Sequence, residues 1–181
     1  MDIDIRAARP EEWDEAGELS AQAYLQGGLL GPGAADSPYL AQLRDARPRA
    51  QHAELLVAAG PADGDLLGTV TFVAVPGSRY SEIAQPGEAE FRMLAVLPRA
   101  RGRGIGEALV RECVRRAAAL GRDRVALSVL DGNRSAHRLY ERLGFGRVPE
   151  RDWQPLPGLS LLVFTLPLPG PPSPSGSLRR S

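Results

Sequence analysis

The feature that most constrains the fold is a segment in which an apolar strand runs through a glycine-rich turn into a long helix. This segment is EFRMLAVLPRARGRGIGEALV, residues 90–110. The pattern predicts a strand that ends near Leu97, before Pro98, and a helix over residues 104–120 that ends at Gly121. Backbone N–H groups at a glycine-rich helix start can approach an anion closely, and the helix dipole favours negative charge there. The segment therefore predicts a phosphate-binding turn.

The residues of the turn narrow the kind of phosphate ligand. Arg101 and Arg103 alternate with Gly102, Gly104 and Gly106, and guanidinium groups would add charge-assisted hydrogen bonds to phosphate oxygens. The spacing differs from the Gly-x-Gly-x-x-Gly of a dinucleotide fold, and the turn follows several strands instead of the first. A P-loop is excluded because the chain contains no lysine. An ordinary glycine-rich turn without a ligand stays open as the alternative.

The remaining patterns predict a mixed sheet flanked by helices. We expect strands at residues 3–7, 54–59, 66–75, 89–97, 124–130 and 159–166, and helices at residues 11–26, 39–45, 104–120 and 133–143. This order is not the regular alternation of a doubly wound fold. Residues 76–88 are expected to be a mobile connection. We expect a single domain over residues 1–166 and a disordered Pro/Ser/Gly-rich tail over residues 167–181.

The composition excludes several classes of partner and location. The 181 residues carry 22 basic side chains, all arginine, and 22 acidic ones, so the formal net charge is zero. Bulk attraction to nucleic acid or to an anionic membrane is therefore not expected. We find no apolar run of about 18 residues and no signal-peptide pattern at the N-terminus, which makes the cytoplasm the expected location.

The cysteine and the histidines indicate neither a disulfide nor a metal site. Cys113 is the only cysteine, and its helical apolar pattern with Ile105 and Leu109 predicts a core position. His52 and His137 have no second ligand at metal-binding spacing, so no metal is expected. His137 is expected to face solvent.

A second motif, NRSAHRLYERLGF, covers residues 133–145. Asn133 is a natural N-cap for a helix that carries an apolar stripe. Tyr140 lies on this helix at i, i+4 from Ala136 and at i, i+3 from Leu143. Taken alone, the motif indicates only an amphipathic helix with a packed tyrosine.

Together the two segments resemble the GCN5-related N-acetyltransferase (GNAT) superfamily. The phosphate motif of that family, Gln/Arg-x-x-Gly-x-Gly/Ala, matches residues 101–106, and its pattern Asn-x-x-Ala-x-x-Leu-Tyr-x-x-x-Gly-Phe matches residues 133–145. The resemblance covers residues 53–145 well, whereas the first 50 residues match in element order only. It implies an α/β (α+β) fold with a mixed, largely antiparallel central sheet flanked by helices.

The resemblance also implies an acyltransferase that uses acetyl-CoA. An acetyl group would pass directly to a primary amine of a small-molecule acceptor, without an acyl-enzyme, in a monomer or homodimer. Backbone groups of the strand would hold the pantetheine arm like an added edge strand, the turn would hold the pyrophosphate, and Tyr140 would lie beside the sulfur. The implied cofactor-binding residues are Leu94, Ala95, Val96, Arg101, Gly102, Arg103, Gly104, Ile105, Gly106, Asn133 and Tyr140.

The chemistry calls for an acid and a base. An alkylammonium is free amine in only about one molecule in 2,500 at pH 7, so a base would speed attack and an acid would speed thiolate departure. By the resemblance, Tyr140 is the candidate acid and Glu90 the candidate base. Strand alternation places Glu90 on one face with Arg92 and Leu94. A salt-bridged Glu90, deprotonation through water, or substitution by Glu82 or Glu88 stays open.

The acceptor is the least constrained part of the prediction. Residues 24–39 and the loop PERDWQPLPGLS, with Arg151 and Asp152, are expected to line its pocket, and Tyr24 and Trp153 are the candidate substrate residues. A larger acyl-CoA, a protein N-terminus or lysine as acceptor, and a non-catalytic CoA-binding sensor or scaffold are the alternatives.

Overall fold

The computed structural model describes residues 2–31, 33–61 and 64–170. Over these residues the strands are β1 (Asp4–Ala7), β2 (Glu54–Ala59), β3 (Leu66–Val73), β4 (Glu88–Val96), β5 (Arg124–Leu130), β6 (Gly146–Arg147), β7 (Trp153–Leu156) and β8 (Leu159–Pro167). The helices are α1 (Trp13–Gln26), α2 (Pro38–Arg44), α3 (Ala46–His52), α4 (Ile105–Ala119) and α5 (Arg134–Arg142). Short 3₁₀ turns lie at Pro10–Glu12, Ala34–Asp36, Pro98–Ala100 and Pro149–Arg151.

In the described part of the chain these strands form one sheet, in the order β1-β2-β3-β4-β5-β8-β6, with β7 paired to β8. The β4–β5 pair is parallel, and every other pair is antiparallel. Helices α1 and α4 pack on β3 and β4, and α3 packs on β2. The sheet confirms the expected mixed, largely antiparallel fold class.

The core follows from the apolar patterns of β3 and α4. All eight residues of β3 are buried, as expected for a strand covered on both faces. On α4 the buried residues are Ile105, Leu109, Val110, Cys113 and Ala117, which recur at helical spacing. Cys113 is fully buried, and burial raises its thiol pKa. The prediction that this cysteine belongs to the core is confirmed.

Two elements depart from the prediction. Helix α3 is not among the expected helices; its Pro48 is compatible with a helix because it lies in the first turn, where its missing N–H has no intrahelical partner. The loop PERDWQPLPGLS contains β7, which pairs Trp153 with Leu161 and so builds a hairpin with β8.

The C-terminal boundary also differs from the expectation. Strand β8 extends to Pro167, and the Leu168 N–H donates to the Asp123 carbonyl at 2.8 Å. Residues 171–181 of the predicted tail lie outside the described residues.

Residues 76–88, expected to be mobile, are held by three side chains from two elements. Arg92 donates to the Tyr80 carbonyl at 2.9 Å, and Arg151 donates to the Ile83 carbonyl at 2.7 Å. The Glu90 carboxylate accepts from two further backbone groups of the same segment. Because these anchors come from β4 and from the turn before β7, the segment is fixed against the sheet.

Candidate active site

A cleft opens where β4 and β5 stop pairing. Their register ends at the Glu90–Ala126 pair, although each strand continues beyond it. On the other side of β4, the register with β3 shifts between Thr69 and Thr71. Met93, with a φ of 56°, is the only non-glycine residue with positive φ in the described chain. Met93 therefore lies in a β-bulge, which bends the strand at the cleft.

One cavity of the cleft, of about 360 Å³, lies against the glycine-rich turn, and we name it the glycine-turn cavity. The backbone of β4 from Leu94 to Val96, the first turn of α4 and the start of α5 surround it. Among the predicted cofactor residues, those that line it are Leu94, Ala95, Val96, Arg101, Gly102, Gly104, Ile105, Gly106 and Asn133.

The turn presents backbone N–H groups to this cavity. Gly102 and Gly104 have φ values of 74° and 78°, in the left-handed region that favours glycine. Gly104 is the N-cap of α4, and the first intrahelical bond runs from the Ala108 N–H to the Gly104 carbonyl. The N–H groups of the first turn therefore have no intrahelical acceptor, which is the arrangement that binds anions.

The arginines near this cavity differ in their positions. Arg101 lines the cavity and reaches the Ala23 and Val96 carbonyls, each at 3.4 Å. Arg103 is exposed and is not among the lining residues. Arg142, which sequence reasoning missed, lines the cavity from the last turn of α5 and pairs with Glu107 at 3.0 Å. In the sequence, Arg142 is marked only as a cation two residues after Tyr140, which is too weak an indication to identify it as a cavity residue.

A second cavity, of about 330 Å³, extends from the cleft toward the β7–β8 hairpin, and we name it the hairpin cavity. It is in the size range of a small-molecule pocket. The two cavities share the lining residues Tyr24, Leu29, Leu94, Asn133 and Ala136. The cavities therefore adjoin between the separated strands.

Tyr140 lines the hairpin cavity from α5 and is 5% exposed. Its ring packs against Phe91, Phe145 and Phe164, with centroids about 6 Å away in each case. Burial raises the pKa of its hydroxyl above the ordinary value. The hydroxyl is therefore protonated at neutral pH and able to donate a proton.

Glu82 and Arg92 are the charged side chains that line the hairpin cavity within the described ranges. Arg92 Nη2 donates to Glu82 Oε2 at 2.6 Å, and Ser128 Oγ donates to Glu82 Oε1 at 3.4 Å. Burial raises the pKa of the Glu82 carboxyl, although the charge of Arg92 opposes this. The cavity thus contains a carboxylate whose pKa is displaced toward neutrality.

Glu90 lies outside the linings of both cavities. It is 1% exposed, is not among the cavity-lining residues, and accepts from the N–H of Glu82 at 2.6 Å and of Ile83 at 3.3 Å. The bulge at Met93 interrupts strand alternation, so a shared face with Leu94 cannot be carried back to Glu90. A role for Glu90 as base stays a prediction, and its contacts are those of a loop anchor.

The predicted substrate residues Tyr24 and Trp153 both line the hairpin cavity. Tyr24 packs edge-on against Tyr39 at 6.1 Å, and burial raises its pKa well above the ordinary value. Arg151 pairs with Glu88 at 2.9 Å and Asp152 with Arg147 at 2.7 Å, so neither of these loop residues lines the cavity.

Arg49 is a buried cation that sequence reasoning did not consider. It is 1% exposed, donates to the Leu43 carbonyl at 2.8 Å and contacts the Met93 sulfur behind the bulge. Its Nε has no hydrogen-bond partner in the described part of the chain. Burial lowers its pKa. A guanidinium in such a place adds positive potential beneath the cleft.

The predictions for Asn133 and His137, which belong to the start of α5 and to its first turns, have different outcomes. Asn133 is the N-cap of α5, as predicted, and accepts from the Ala136 N–H at 3.4 Å. His137 was expected to face solvent, which is wrong: it is half-buried, packs on Phe164 at 5.7 Å and contacts the Leu130 carbonyl at 2.9 Å.

Over the ranges that the structure covers, no cluster of His, Cys, Asp or Glu could hold a metal, and no helix is long and apolar enough to cross a membrane.

The comparison with protein families decides which family this site belongs to. Residues 13–145 match the model of the Acetyltransferase (GNAT) family. The chain belongs to the GNAT family. This match confirms the resemblance and includes both the glycine-rich turn and the Asn133–Phe145 motif.

Solved structures support the same fold. A GNAT acetyltransferase from Staphylococcus aureus Mu50 has a TM-score of 0.70 at 16% identity and covers 93% of this chain and 100% of that one. YncA from Salmonella typhimurium, solved with its cofactor acetyl-CoA, has a TM-score of 0.62 at 18% identity and covers 97% and 99%. At these identities the likeness shows the fold.

A sequence relative is the mycothiol acetyltransferase of Mycobacteroides abscessus, 43% identical over 61 residues. The matched stretch is 34% of this chain and spans only 21% of that enzyme. The chain is a GNAT acyltransferase, and the enzymes of its family use acetyl-CoA.

Proposed function

We propose that this chain transfers an acetyl group from acetyl-CoA to a primary amine of a small molecule. One observation carries the proposal: the glycine-turn and hairpin cavities adjoin between the separated β4 and β5, and Tyr140 and Glu82 both line the hairpin cavity. A donor and an acceptor that enter from the two sides would meet at the shared wall. Holding two reactants in contact removes much of the entropic barrier to their reaction.

The glycine-turn cavity has the groups that CoA requires. Its pyrophosphate suits the free N–H groups of the first turn of α4, with Arg101 and Arg142 as the nearby cations. Its pantetheine arm carries amides that suit the backbone from Leu94 to Val96, because pairing between β4 and β5 has ended there. Arg103, exposed and outside the cavity lining, stays a predicted phosphate contact.

The reaction is attack of the neutral amine on the thioester carbonyl. The new C–N bond forms, the C–S bond breaks, one proton leaves the amine nitrogen, and one proton is needed by the departing sulfur. The products are the N-acetyl amine and CoA with a free thiol. Each well-placed acid or base is worth about 10²–10⁴ in rate.

We assign the base to Glu82 in preference to Glu90. Glu82 lines the acceptor side of the cleft, and burial raises its pKa, which makes its carboxylate a stronger proton acceptor. It would attract the ammonium and then take its proton. Glu90, by accepting from the Glu82 N–H, would position the backbone of this base.

The acid is Tyr140. Its raised pKa keeps the hydroxyl protonated until the sulfur develops negative charge. The aromatic packing against Phe91 and Phe164 would fix the direction of the hydroxyl. The presence of both an acid and a base in one cavity favours catalysis over a CoA-binding sensor or scaffold.

A thiol-release assay with acetyl-CoA and a panel of amines, amino acids, amino sugars and peptides tests this proposal, with CoA binding measured by calorimetry. We expect CoA binding and turnover of at least one small amine. CoA binding without any turnover would favour the sensor, and turnover of peptides alone would favour a protein acceptor. A chain that does not bind CoA would contradict the proposal.

A further inference from the structure

The chemical character of the hairpin cavity changes along its length. Its charged side chains Glu82 and Arg92 are paired with each other, and Ser128 donates to Glu82. The β7–β8 hairpin contributes a wall without charge, made of Trp153, Pro155, Leu156, Leu159 and Leu161. Leu156, at the tip of this wall, is 63% exposed, so its side chain is accessible to a bound molecule.

The strand register gives the distance between the Glu82 end of the hairpin cavity and the tip of the β7–β8 hairpin. Ser128, which bonds Glu82, pairs with Val163 of β8. Leu159, four residues from Val163 along β8, pairs with Leu156 at the hairpin tip. At a rise of about 3.3 Å per residue, the leucines at the tip lie about 13 Å from the level of the carboxylate.

We infer that the acceptor of this enzyme is a primary amine on a long, uncharged apolar chain, an alkylamine or arylalkylamine. This inference rests on the proposed acetyl transfer and names the class of its acceptor. The ammonium would pair with Glu82, and the chain would run along β8 past Trp153 to Leu156 at the hairpin tip. Burial of the exposed Leu156 side chain against the ligand supplies part of the binding energy.

The same lining disfavours polyhydroxylated acceptors. A sugar amine placed along Leu159 and Leu161 would lose water from its hydroxyl groups, and these side chains return no hydrogen bond. Ser128 and its partner Glu82, which could hydrogen-bond a hydroxyl group, lie at the opposite end of the register described above. Selectivity for an apolar chain therefore follows from unpaired hydroxyl groups as well as from favourable contact.

The test is a homologous series of butylamine, hexylamine and octylamine, with ethanolamine and glucosamine as polar comparisons, assayed by thiol release with acetyl-CoA. Because each methylene buried against apolar side chains contributes up to about fourfold in binding, kcat/KM is expected to rise about threefold per methylene. The two polar amines should be poorer than butylamine by at least tenfold.

The matched variants are Leu156→Ser and Leu120→Ser. Leu156→Ser should lower kcat/KM for octylamine about tenfold and leave butylamine unchanged, because the short chain does not reach the hairpin tip. Leu120 is similarly exposed, at 53%, at the end of α4 and outside the cavity lining, so Leu120→Ser should change neither.

Turnover that is flat or falls with chain length, equal use of glucosamine, or equal loss for both amines in Leu156→Ser would overturn the inference. Each of these results would leave amine acetylation standing. Failure to acetylate any amine in the broader panel would instead overturn the proposed function itself, so the two failures are distinguishable.

Discussion

The carboxylate of Glu90 accepts a hydrogen bond from the backbone N–H of Glu82 at 2.6 Å. One acidic residue thereby fixes the backbone of another whose side chain lines the acceptor side of the cleft. We assign the role of base to Glu82 and the role of backbone anchor to Glu90, whereas strand position alone would make Glu90 the base. Substitution of each residue tests these two roles.

Glu82→Gln should lower kcat about 100-fold or more, because it removes the base. In the wild type, the rate should fall as the pH drops through the pKa of Glu82, since only the ionised carboxylate accepts a proton. Burial raises that pKa, so the acidic limb should lie above the ordinary 4.5. A pH–rate profile of both proteins checks the prediction.

Glu90→Gln is the matched control. It should keep the acidic limb and lose less than tenfold in kcat, but unfold more easily by about 1–3 kcal/mol, because an amide N–H₂ now faces a backbone N–H. Loss of the acidic limb in Glu90→Gln, with a normal limb in Glu82→Gln, would return the base to Glu90.

Tyr140→Phe should lower kcat by about 10²-fold or more without changing the KM for acetyl-CoA by more than a few fold. The ring contacts with Phe91, Phe145 and Phe164 remain in the variant, so thermal stability should change little. Steady-state kinetics and a melting curve measure these effects together. An unchanged kcat would remove Tyr140 as the acid.

Gly104→Ala should separate cofactor binding from stability. The φ of Gly104, 78°, lies in the left-handed region, so alanine would be strained there and should lower the free energy of unfolding by about 1 kcal/mol. The same strain would distort the N-cap of α4 beside the glycine-turn cavity, so the KM for acetyl-CoA should rise about tenfold.

The control for this variant is Gly121→Ala, after the end of α4, where φ is 71°, the added methyl meets open space and neither cavity is lined. It should leave the KM for acetyl-CoA unchanged. Equal KM values for the two alanine variants would argue against phosphate binding at the first turn of α4.

Glu12 gives a pH-dependent test of stability far from the cleft. Its hydrogen bond with Arg6, at 2.7 Å, and a bond from the Arg9 N–H lower its pKa to about 2. The pKa is lower in the folded chain, so the stabilisation is present above pH 4.5 and is lost as the pH falls toward 2. Melting temperatures of wild type and Glu12→Gln should differ at pH 7 and converge near pH 2, whereas the exposed neighbour Glu11→Gln should track the wild type throughout.

Local patterns predicted the parts of the site that local structure builds. The glycine-rich turn, the start of α4 and the cap at Asn133 follow from residues adjacent in sequence. The assignment of the base does not, because it depends on the bulge at Met93 and on the return of residues 76–88 against β4. The same holds for Arg142 and Arg49, whose positions depend on packing between distant elements.

Two further predictions that the structure corrects concern His137 and helix α3. His137 was placed by helix periodicity alone, but the nearby Phe164 and the Leu130 carbonyl make its position half-buried. Helix α3 contains Pro48, which a helix tolerates only in its first turn, and the sequence does not show where that turn begins.

Direct acetyl transfer to an amine is tested by a stoichiometric measurement. The wild-type chain is mixed with acetyl-CoA and the best acceptor of the amine panel, the free thiol is titrated, and the masses of the amine and of the protein are measured by mass spectrometry. We expect one N-acetylated amine for each thiol released and no acetylated protein. Thiol release no faster than without the enzyme for every amine of the panel, or an acetyl group retained on the chain before transfer, would contradict direct transfer.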